Sequence, residues 1–448
     1  MQRPHILRLA LLGVCLTALS AHAAIDGDRL KPKNLDKART AVWAEWCREV
    51  KRTDALAPFS HVPLAEGNHM AWTLPDSLEA DAVMDFYSGV KGPQPTEGYP
   101  FFLYLHGSGP RDQEWATGLK LAQRFDDGPS MYAVPRIPHE GRLYRWWHQS
   151  KQWAWEQMLR RVLTDSAVDP SRIYWFGISE GGYGSQRLAS FYADYLAAAG
   201  PMAGGEPLRN APAENLSHTP LSLITGDKDV AFYRNILTPR TGQRLDSLET
   251  LYPDEYKHRV MLEKDHGHPV TYDLTTPWLT QFSRVAQPCH FRGENFEMDG
   301  RKRNAFYNIE VISESVPPID GRSVANIPAE AQDSVLALRP LRTDYEFSVS
   351  DNVVRLDVNE VEYVITETDP YYGIELNNTR RYRPAEHGEV RVYLSEQLVD
   401  LTQPVTLYVN GEKLGEYRPR LSKQTLHQSC RLFGDPLRLF PSVLEVKW

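Results

Sequence analysis

Arg172-Ile173-Tyr174-Trp175-Phe176-Gly177-Ile178-Ser179-Glu180-Gly181-Gly182-Tyr183-Gly184-Ser185 is the stretch on which the reading of this chain turns. After Arg172, the residues Ile173 to Phe176 form a short apolar run of the kind that fills a strand buried on both faces. The residues from Gly182 to Tyr195 carry a helical pattern. Between them stands G-x-S-x-G. A serine on a sharp strand-to-helix turn holds its hydroxyl clear of the sheet, and flanking glycines let that turn close without Cβ clashes. The spacing therefore predicts a nucleophilic Ser179. The bland alternative is an ordinary strand–turn–helix corner. The strand before and the helix after favour the catalytic reading.

Working outward, short apolar runs alternate with helical segments. Asp81–Val90, Phe101–Leu105, Met131–Val134, Leu196–Met202, Leu221–Gly226 and Val260–Glu263 read as strands, and Gln149–Leu163 and Pro277–Val285 as helices. That alternation predicts a mostly parallel sheet with helices on both faces over residues 81–287. After Pro288 the character changes. Val354–Val358, Val390–Leu394 and Val405–Val409 alternate apolar and polar residues, and Asp299-Gly300 and Asn410-Gly411 are hairpin-turn dipeptides. No convincing helix falls between these strands. Residues 288–448 are expected to form a β-rich, sandwich-like domain. Residues 24–80 are expected to be a helical lead-in with loops, carrying Val42, Trp43, Trp46 and Val50 at helical spacing.

A serine nucleophile needs an oxyanion hole, a base and an orienting acid. His106-Gly107-Ser108-Gly109 directly follows an apolar strand upstream of the serine, so the N–H groups of Ser108 and Glu180 are the candidate oxyanion donors. Leu221–Gly226 leads into Asp227-Lys228-Asp229, and Val260–Glu263 leads into Lys264-Asp265-His266-Gly267-His268. Each pair lies past the C-terminal end of a parallel strand, where open α/β sheets place their sites. Spacing alone does not choose between the two aspartates or between the two histidines.

The segment 81–285 resembles the α/β-hydrolases. Gly177–Ser185, with Pro201-Met202-Ala203-Gly204-Gly205 after it, is similar to a group of secreted bacterial esterases and prolyl-oligopeptidase-like hydrolases. Such enzymes place the acid three residues after the glycine ending its strand, which implies Asp229. They place the histidine directly after a glycine, which implies His268. The resemblance implies carboxylic ester hydrolysis with no metal or organic cofactor. The rival activities are a serine peptidase of prolyl-oligopeptidase type and a non-catalytic glycan-binding protein on a hydrolase fold.

Trp146, Trp147, Trp153 and Trp155 crowd ten residues. Packing explains Trp146 and Trp153, seven apart on one helical face. Trp147 and Trp155 are candidates for stacking on a sugar or aromatic acyl group. Arg136 and His139, after the Met131–Val134 strand, are candidates to line the cleft. With the β-rich domain, these features suggest an acylated carbohydrate as substrate.

The N-terminus has Arg3 and Arg8, an apolar run Leu9–Leu19 and the small-x-small triplet Ala21-His22-Ala23, the pattern of a signal peptide over residues 1–23. The expected location is secreted or periplasmic. Its removal leaves 48 basic against 58 acidic residues, which argues against nucleic acid or anionic membrane as partner. No membrane span is expected, and the oligomeric state is left open. Cys47, Cys289 and Cys430 then allow at most one internal disulfide, for which Cys289–Cys430 is the candidate, with Cys47 a buried thiol. No His/Cys spacing suggests a metal.

Overall fold

The computed structural model describes residues 28–53, 56–141, 144–315 and 341–448. The expected export signal at residues 1–23 lies outside the described residues. Eight strands build the first sheet: β1 (His69–Thr73), β2 (Val83–Lys91), β3 (Tyr99–Leu105), β4 (Ser130–Pro135), β5 (Val168–Ile178), β6 (Ala198–Met202), β7 (Leu221–Gly226) and β8 (His258–Glu263). Their spatial order is β1-β2-β4-β3-β5-β6-β7-β8. The β1–β2 and β2–β4 pairs are antiparallel, and every pair from β4 to β8 is parallel.

The middle of this sheet is buried on both faces, which is why its strands read as apolar runs rather than alternating ones. Phe101, Leu103 and Leu105 of β3 join one core with Trp155 and Trp175, while Phe102 and Tyr104 join the opposite core with Tyr174 and Phe176. Helices cover both sides: α2 (Arg111–Arg124), α3 (Gln149–Thr164), α4 (Glu180–Phe191), α5 (Arg234–Leu251) and α6 (Thr275–Leu279), after the N-terminal α1 (Leu35–Thr53). Helices α3, α4 and α5 contribute Leu159, Leu188 and Leu245 to one core; α2 and α6 contribute Leu119 and Leu279 to the other. Strand order, helices on both faces and the sharp turn after β5 make this an α/β-hydrolase fold.

The C-terminal part folds as two facing sheets. Its strands are β9 (His290–Asn295), β10 (Ala305–Phe306), β11 (Ile309–Glu314), β12 (Leu341–Ser350), β13 (Val353–Thr368), β14 (Glu375–Pro384), β15 (Gly388–Leu394), β16 (Val405–Val409), β17 (Glu412–Tyr417) and β18 (Ser442–Lys447). One sheet runs β10-β11-β15-β18; the other runs β17-β16-β13-β12-β9, with β14 also paired to β13. Phe347, Leu356 and Val358 from one sheet and Ile309, Val392 and Val446 from the other share a single core, so the layers form a sandwich. Asn410 and Gly411 both take positive φ at the β16–β17 turn, as a two-residue hairpin requires.

Several details differ from the sequence expectation. Residues 69–73, inside the expected lead-in, are the edge strand of the first sheet, anchored by the buried Trp72. A helix does occur in the C-terminal part, α7 (Lys423–Phe433), capped by the Ser422 hydroxyl accepting from Thr425 N–H and ended by Gly434 at positive φ. It packs on α1 through Val42, Trp46, Val50, Leu426 and Cys430. The expected helix Pro277–Val285 is instead a short one, Thr275–Leu279, and Arg284 beyond it pairs with Asp435 in the domain junction. The expected Cys289–Cys430 disulfide is absent: Cys289 is exposed, whereas Cys430 is buried against α1, and burial pushes its thiol up to about 12. Cys47 is half-buried rather than buried.

The junction is closed by a chain of buried ions. Asp194, after α4, accepts from Arg303 at 3.0 Å and from Arg438. Arg438 Nε also reaches Asp435 at 2.6 Å, and Asp435 accepts from Arg284 at 2.9 Å. Burial alone would raise the Asp194 carboxyl, but the two guanidiniums outweigh it and hold it well below the usual range.

Candidate active site

Ser179 sits between β5 and α4 with φ 57° and ψ −114°, a backbone conformation that a residue with a Cβ rarely adopts. The turn is possible only because its neighbours lack side chains. A Cβ on Gly177 would lie 2.4 Å from Gly181 O, and one on Gly181 would lie 2.0 Å from Leu105 O. Glu180 is the first residue of α4, so its N–H is among the donors a helix leaves unused at its start.

The structure brings three of the expected residues together. His268 Nε2 lies 2.9 Å from Ser179 Oγ, and His268 Nδ1 lies 2.7 Å from Asp229 Oδ2. With Nδ1–H donating to the carboxylate, Nε2 is free to accept the serine proton. Asp229 is buried, while His268 is partly open to solvent. Of the competing residues, His266 turns to its own loop. His266 Nδ1 bonds its own loop at Lys264 O, 2.9 Å away, and its Nε2 lies 3.8 Å from Glu263. Asp227 N–H and C=O are tied to Glu263 and Asn235. Sequence reasoning missed Arg234, whose Nη1 donates to Asp229 Oδ1 at 2.9 Å.

The loop after β3 is held from behind. Trp146 Nε1 donates to His106 O at 3.0 Å, and Tyr144 Oη donates to Gly107 O at 2.5 Å. His106 is itself buried. Its Nε2 accepts from Ile137 N–H at 3.3 Å, leaving Nδ1–H to donate to Gly107 O at 2.8 Å. Burial lowers its pKa to about 4, so the ring stays neutral. With the carbonyls of His106 and Gly107 turned into the protein, Ser108 is placed on the cavity wall beside Ser179 and Glu180.

That cavity measures about 520 Å³. Trp147 forms part of it, its ring lying 3.9 Å from the Arg187 guanidinium and 5.8 Å from that of Arg145. Arg187 pairs with Glu206 at 2.6 Å and Arg145 with Glu180 at 3.2 Å. Burial raises the Glu180 carboxyl to about 7 against the pull of both arginines. The other two binding candidates are corrected. Trp155 is fully buried, packed on Trp146 and Trp175, with Nε1 donating to Trp146 O at 2.9 Å; it is core. Arg136 is held by Asp85 and by Asp112 at 3.0 Å and lies over the Trp115 ring, outside the cavity lining. His139 likewise pairs with Glu79 at 2.7 Å. Among the described residues, no group of three or more His, Cys, Asp or Glu is arranged to hold a metal, and no helix is long and apolar enough to cross a membrane.

No family model and no curated protein matches the chain. Solved structures with a similar backbone include a thermostable esterase (19% identity, TM-score 0.36, covering 49% of this chain and 64% of that one). An acetyl xylan esterase from Aspergillus awamori matches at 12% identity and TM-score 0.35, covering 48% of this chain and 99% of that one. An S-formylglutathione hydrolase from Agrobacterium tumefaciens matches at 14% and 0.35, covering 50% and 96%. At these levels the likeness carries no functional conclusion. The α/β-hydrolase fold is defined by this chain's own strand order, serine turn and strand-end loops.

Proposed function

We propose that the protein is a serine hydrolase that cleaves carboxylic esters through an acyl-enzyme on Ser179. The observation that carries this reading is the unbroken line Ser179 Oγ–His268–Asp229, at 2.9 and 2.7 Å, on the wall of an open cavity. Ser179 Oγ attacks the ester carbonyl carbon while its proton passes to His268 Nε2. Asp229 steadies the imidazolium that forms. The N–H groups of Ser108 and Glu180 receive the oxyanion. As the intermediate collapses, the C–O bond to the alcohol breaks and His268 returns the proton to the departing oxygen. A water then gives a proton to His268 and attacks the acyl carbon; the acyl–Oγ bond breaks, His268 passes the proton to Ser179 Oγ and the acid leaves. None of these steps calls for a metal or organic cofactor. The pattern of residues 1–23 supports an exported enzyme.

The test is active-site labelling. A fluorophosphonate is expected to modify Ser179, and Ser179→Ala to lower turnover of p-nitrophenyl acetate by about three orders of magnitude or more. Labelling elsewhere, or near-native activity in the variant, overturns the assignment. Faster turnover of an aminoacyl amide than of the matched ester assigns the site to peptide cleavage instead. Ligand binding with neither labelling nor turnover makes it a binding protein.

A further inference from the structure

The cavity around Ser179 is not made by the hydrolase sheet alone. Ile365, Thr368, Tyr372, Ile374 and Glu375 of the β13–β14 hairpin line it. This hairpin belongs to the sandwich, yet it is tied at several points to the hydrolase fold. Tyr233 Oη donates to Asp369 at the start of the hairpin loop. Arg240 reaches Glu367 at 2.8 Å, and Arg209 reaches Glu375 at 2.7 Å. Asp369 also organises the loop itself, its N–H donating to Ile374 O at 2.8 Å and its C=O accepting from Gly373 N–H at 3.0 Å.

The turn that meets this hairpin follows Asp229 directly. Phe232 and Tyr233 both have positive φ, 53° and 59°, which bulky residues seldom adopt. The backbone is thereby bent so that Phe232 presents its ring to Tyr372, with centroids 5.0 Å apart, and Tyr371 packs edge-on against Tyr372 at 4.6 Å. All three rings are open to solvent: Phe232 is 44% exposed, Tyr372 52% and Tyr371 81%. Packing does not account for such exposure of three adjacent aromatics, two of which, Phe232 and Tyr372, line the cavity.

We infer that Phe232 and Tyr372 form a shelf that binds a hydroxylated ring of an extended substrate, so that the sandwich domain supplies part of the substrate site. The assignment of the ester to Ser179 rests on the reading above; the shelf rests on the hairpin. The ring is a sugar rather than an acyl chain because of what surrounds it. Arg209, Asn210, Glu206 and Glu375 line the same cavity. Arg209 pairs with Glu375 and Asn210 with Glu206, yet guanidinium N–H groups and carboxylate lone pairs remain beyond those bonds, and an apolar chain would meet none of them. A pyranose offers an apolar face to the aromatics and hydroxyls to the charged and amide groups. The substrate class is therefore an O-acylated oligosaccharide, with the ester at Ser179 and a neighbouring sugar on the shelf.

Binding tests this independently of catalysis. Calorimetric titration of the Ser179→Ala protein with partly O-acetylated gluco-, xylo- and manno-oligosaccharides is expected to show binding of at least one. Adding Tyr372→Ala is expected to weaken Kd about tenfold, as for loss of an aromatic anchor, while Tyr372→Trp retains the affinity. Tyr372 is half exposed, and equal melting temperatures of the three proteins verify that they fold alike. Methyl ferulate, a planar ring without a sugar, serves as the comparison. No binding of any oligosaccharide, equal Kd with and without Tyr372, or a Tyr372-dependent affinity confined to methyl ferulate each overturns the sugar shelf. None of those outcomes affects the Ser179 assignment, which stands or falls on fluorophosphonate labelling.

Discussion

Arg234 Nη1 donates to Asp229 Oδ1 at 2.9 Å, on the carboxylate oxygen that does not face His268. The acid is thereby fixed from both sides, and its orientation is set before substrate arrives. Arg234→Met should lower kcat on p-nitrophenyl acetate about 10- to 100-fold, short of the roughly 10⁴-fold loss expected when the acid itself is neutralised. KM should change little, and Arg234→Lys should restore part of the rate. A loss carried by KM alone would place Arg234 in substrate binding instead.

Two substitution pairs separate the neighbouring acids and bases. His268→Ala and Asp229→Asn should each cost three or more orders of magnitude in kcat/KM, by analogy with other hydrolase triads, roughly 10³-fold at the least. His266→Ala and Asp227→Asn should keep most of the rate, since the ring nitrogens of His268 bond Ser179 and Asp229. Steady-state kinetics on one small ester decides the matter, and damage concentrated at His266 would reverse the pairing.

The loop carrying Ser108 depends on donors behind it. Tyr144→Phe removes the Oη–H that meets Gly107 O at 2.5 Å while keeping the ring. The Ser108 N–H then loses its fixed direction. A fall in kcat of about tenfold with unchanged KM is expected, smaller than the roughly 10²-fold or greater effect of deleting an oxyanion donor outright. Comparable loss in kcat and in thermal stability would make Tyr144 a packing residue only.

Trp155 lies in the core, so its removal should be felt as instability. Trp155→Ala should cost about 3–5 kcal/mol in urea unfolding. Kinetic constants measured well below the unfolding transition should show no selective loss on glycan esters. A specific rise in KM for them would return Trp155 to the cleft.

His290 clamps the two parts of the chain, bonding Glu255 at 2.7 Å and Glu346 at 3.3 Å and stacking on Tyr252. Burial alone would lower its pKa, but the two carboxylates raise it from 6.5 to about 9. Because the folded-state value lies above the unfolded one, this stabilisation is complete below pH 6.5 and disappears as pH rises through 9. Wild-type protein should lose on the order of 1–2 kcal/mol over that window, after allowance for solvent screening of a partly exposed group. His290→Gln should be less stable at pH 6 and flatten the profile; an unchanged profile would remove the clamp.

The serine turn was legible because its constraints are local. Gly177, Ser179 and Gly181 are demanded by atoms within a few residues or on the adjacent strand, and the strand and helix around them follow from periodicity. The acid and base could be placed only to within a pair, since what separates Asp229 from Asp227 is the guanidinium of Arg234 and the approach of His268. Those are contacts across loops. Trp155 and Trp147 have the same residue type and similar sequence surroundings. One packs on Trp175 beneath the sheet, the other on Arg187 at the cavity wall, and no spacing rule distinguishes them. The hairpin at 365–375 was invisible for a further reason: its residues sit more than a hundred positions from Asp229 and meet the turn after it, at Phe232 and Tyr233, only through the tertiary fold. Helix α7 did leave a signal, the Ser422 cap and Gly434 stop around Leu426 and Phe433, which the strand-rich surroundings obscured.

The buried chain Asp194–Arg438–Asp435–Arg284 has a consequence for how the molecule comes apart. Two of these ions belong to the hydrolase segment and two to the C-terminal part, and each satisfies a charge on the other side. Pulling the halves apart, or ending the chain before residue 288, would take Asp194 and Arg284 from their counter-ions and open to water the faces that those pairs hold together. Breaking one such pair inside the closed junction typically costs about 3–5 kcal/mol, a large share of a domain's net stability, so the junction is expected to open as a whole rather than piecemeal. The two halves are therefore expected to unfold together, and a calorimeter should record one cooperative heat-absorption peak for the two architectures rather than two.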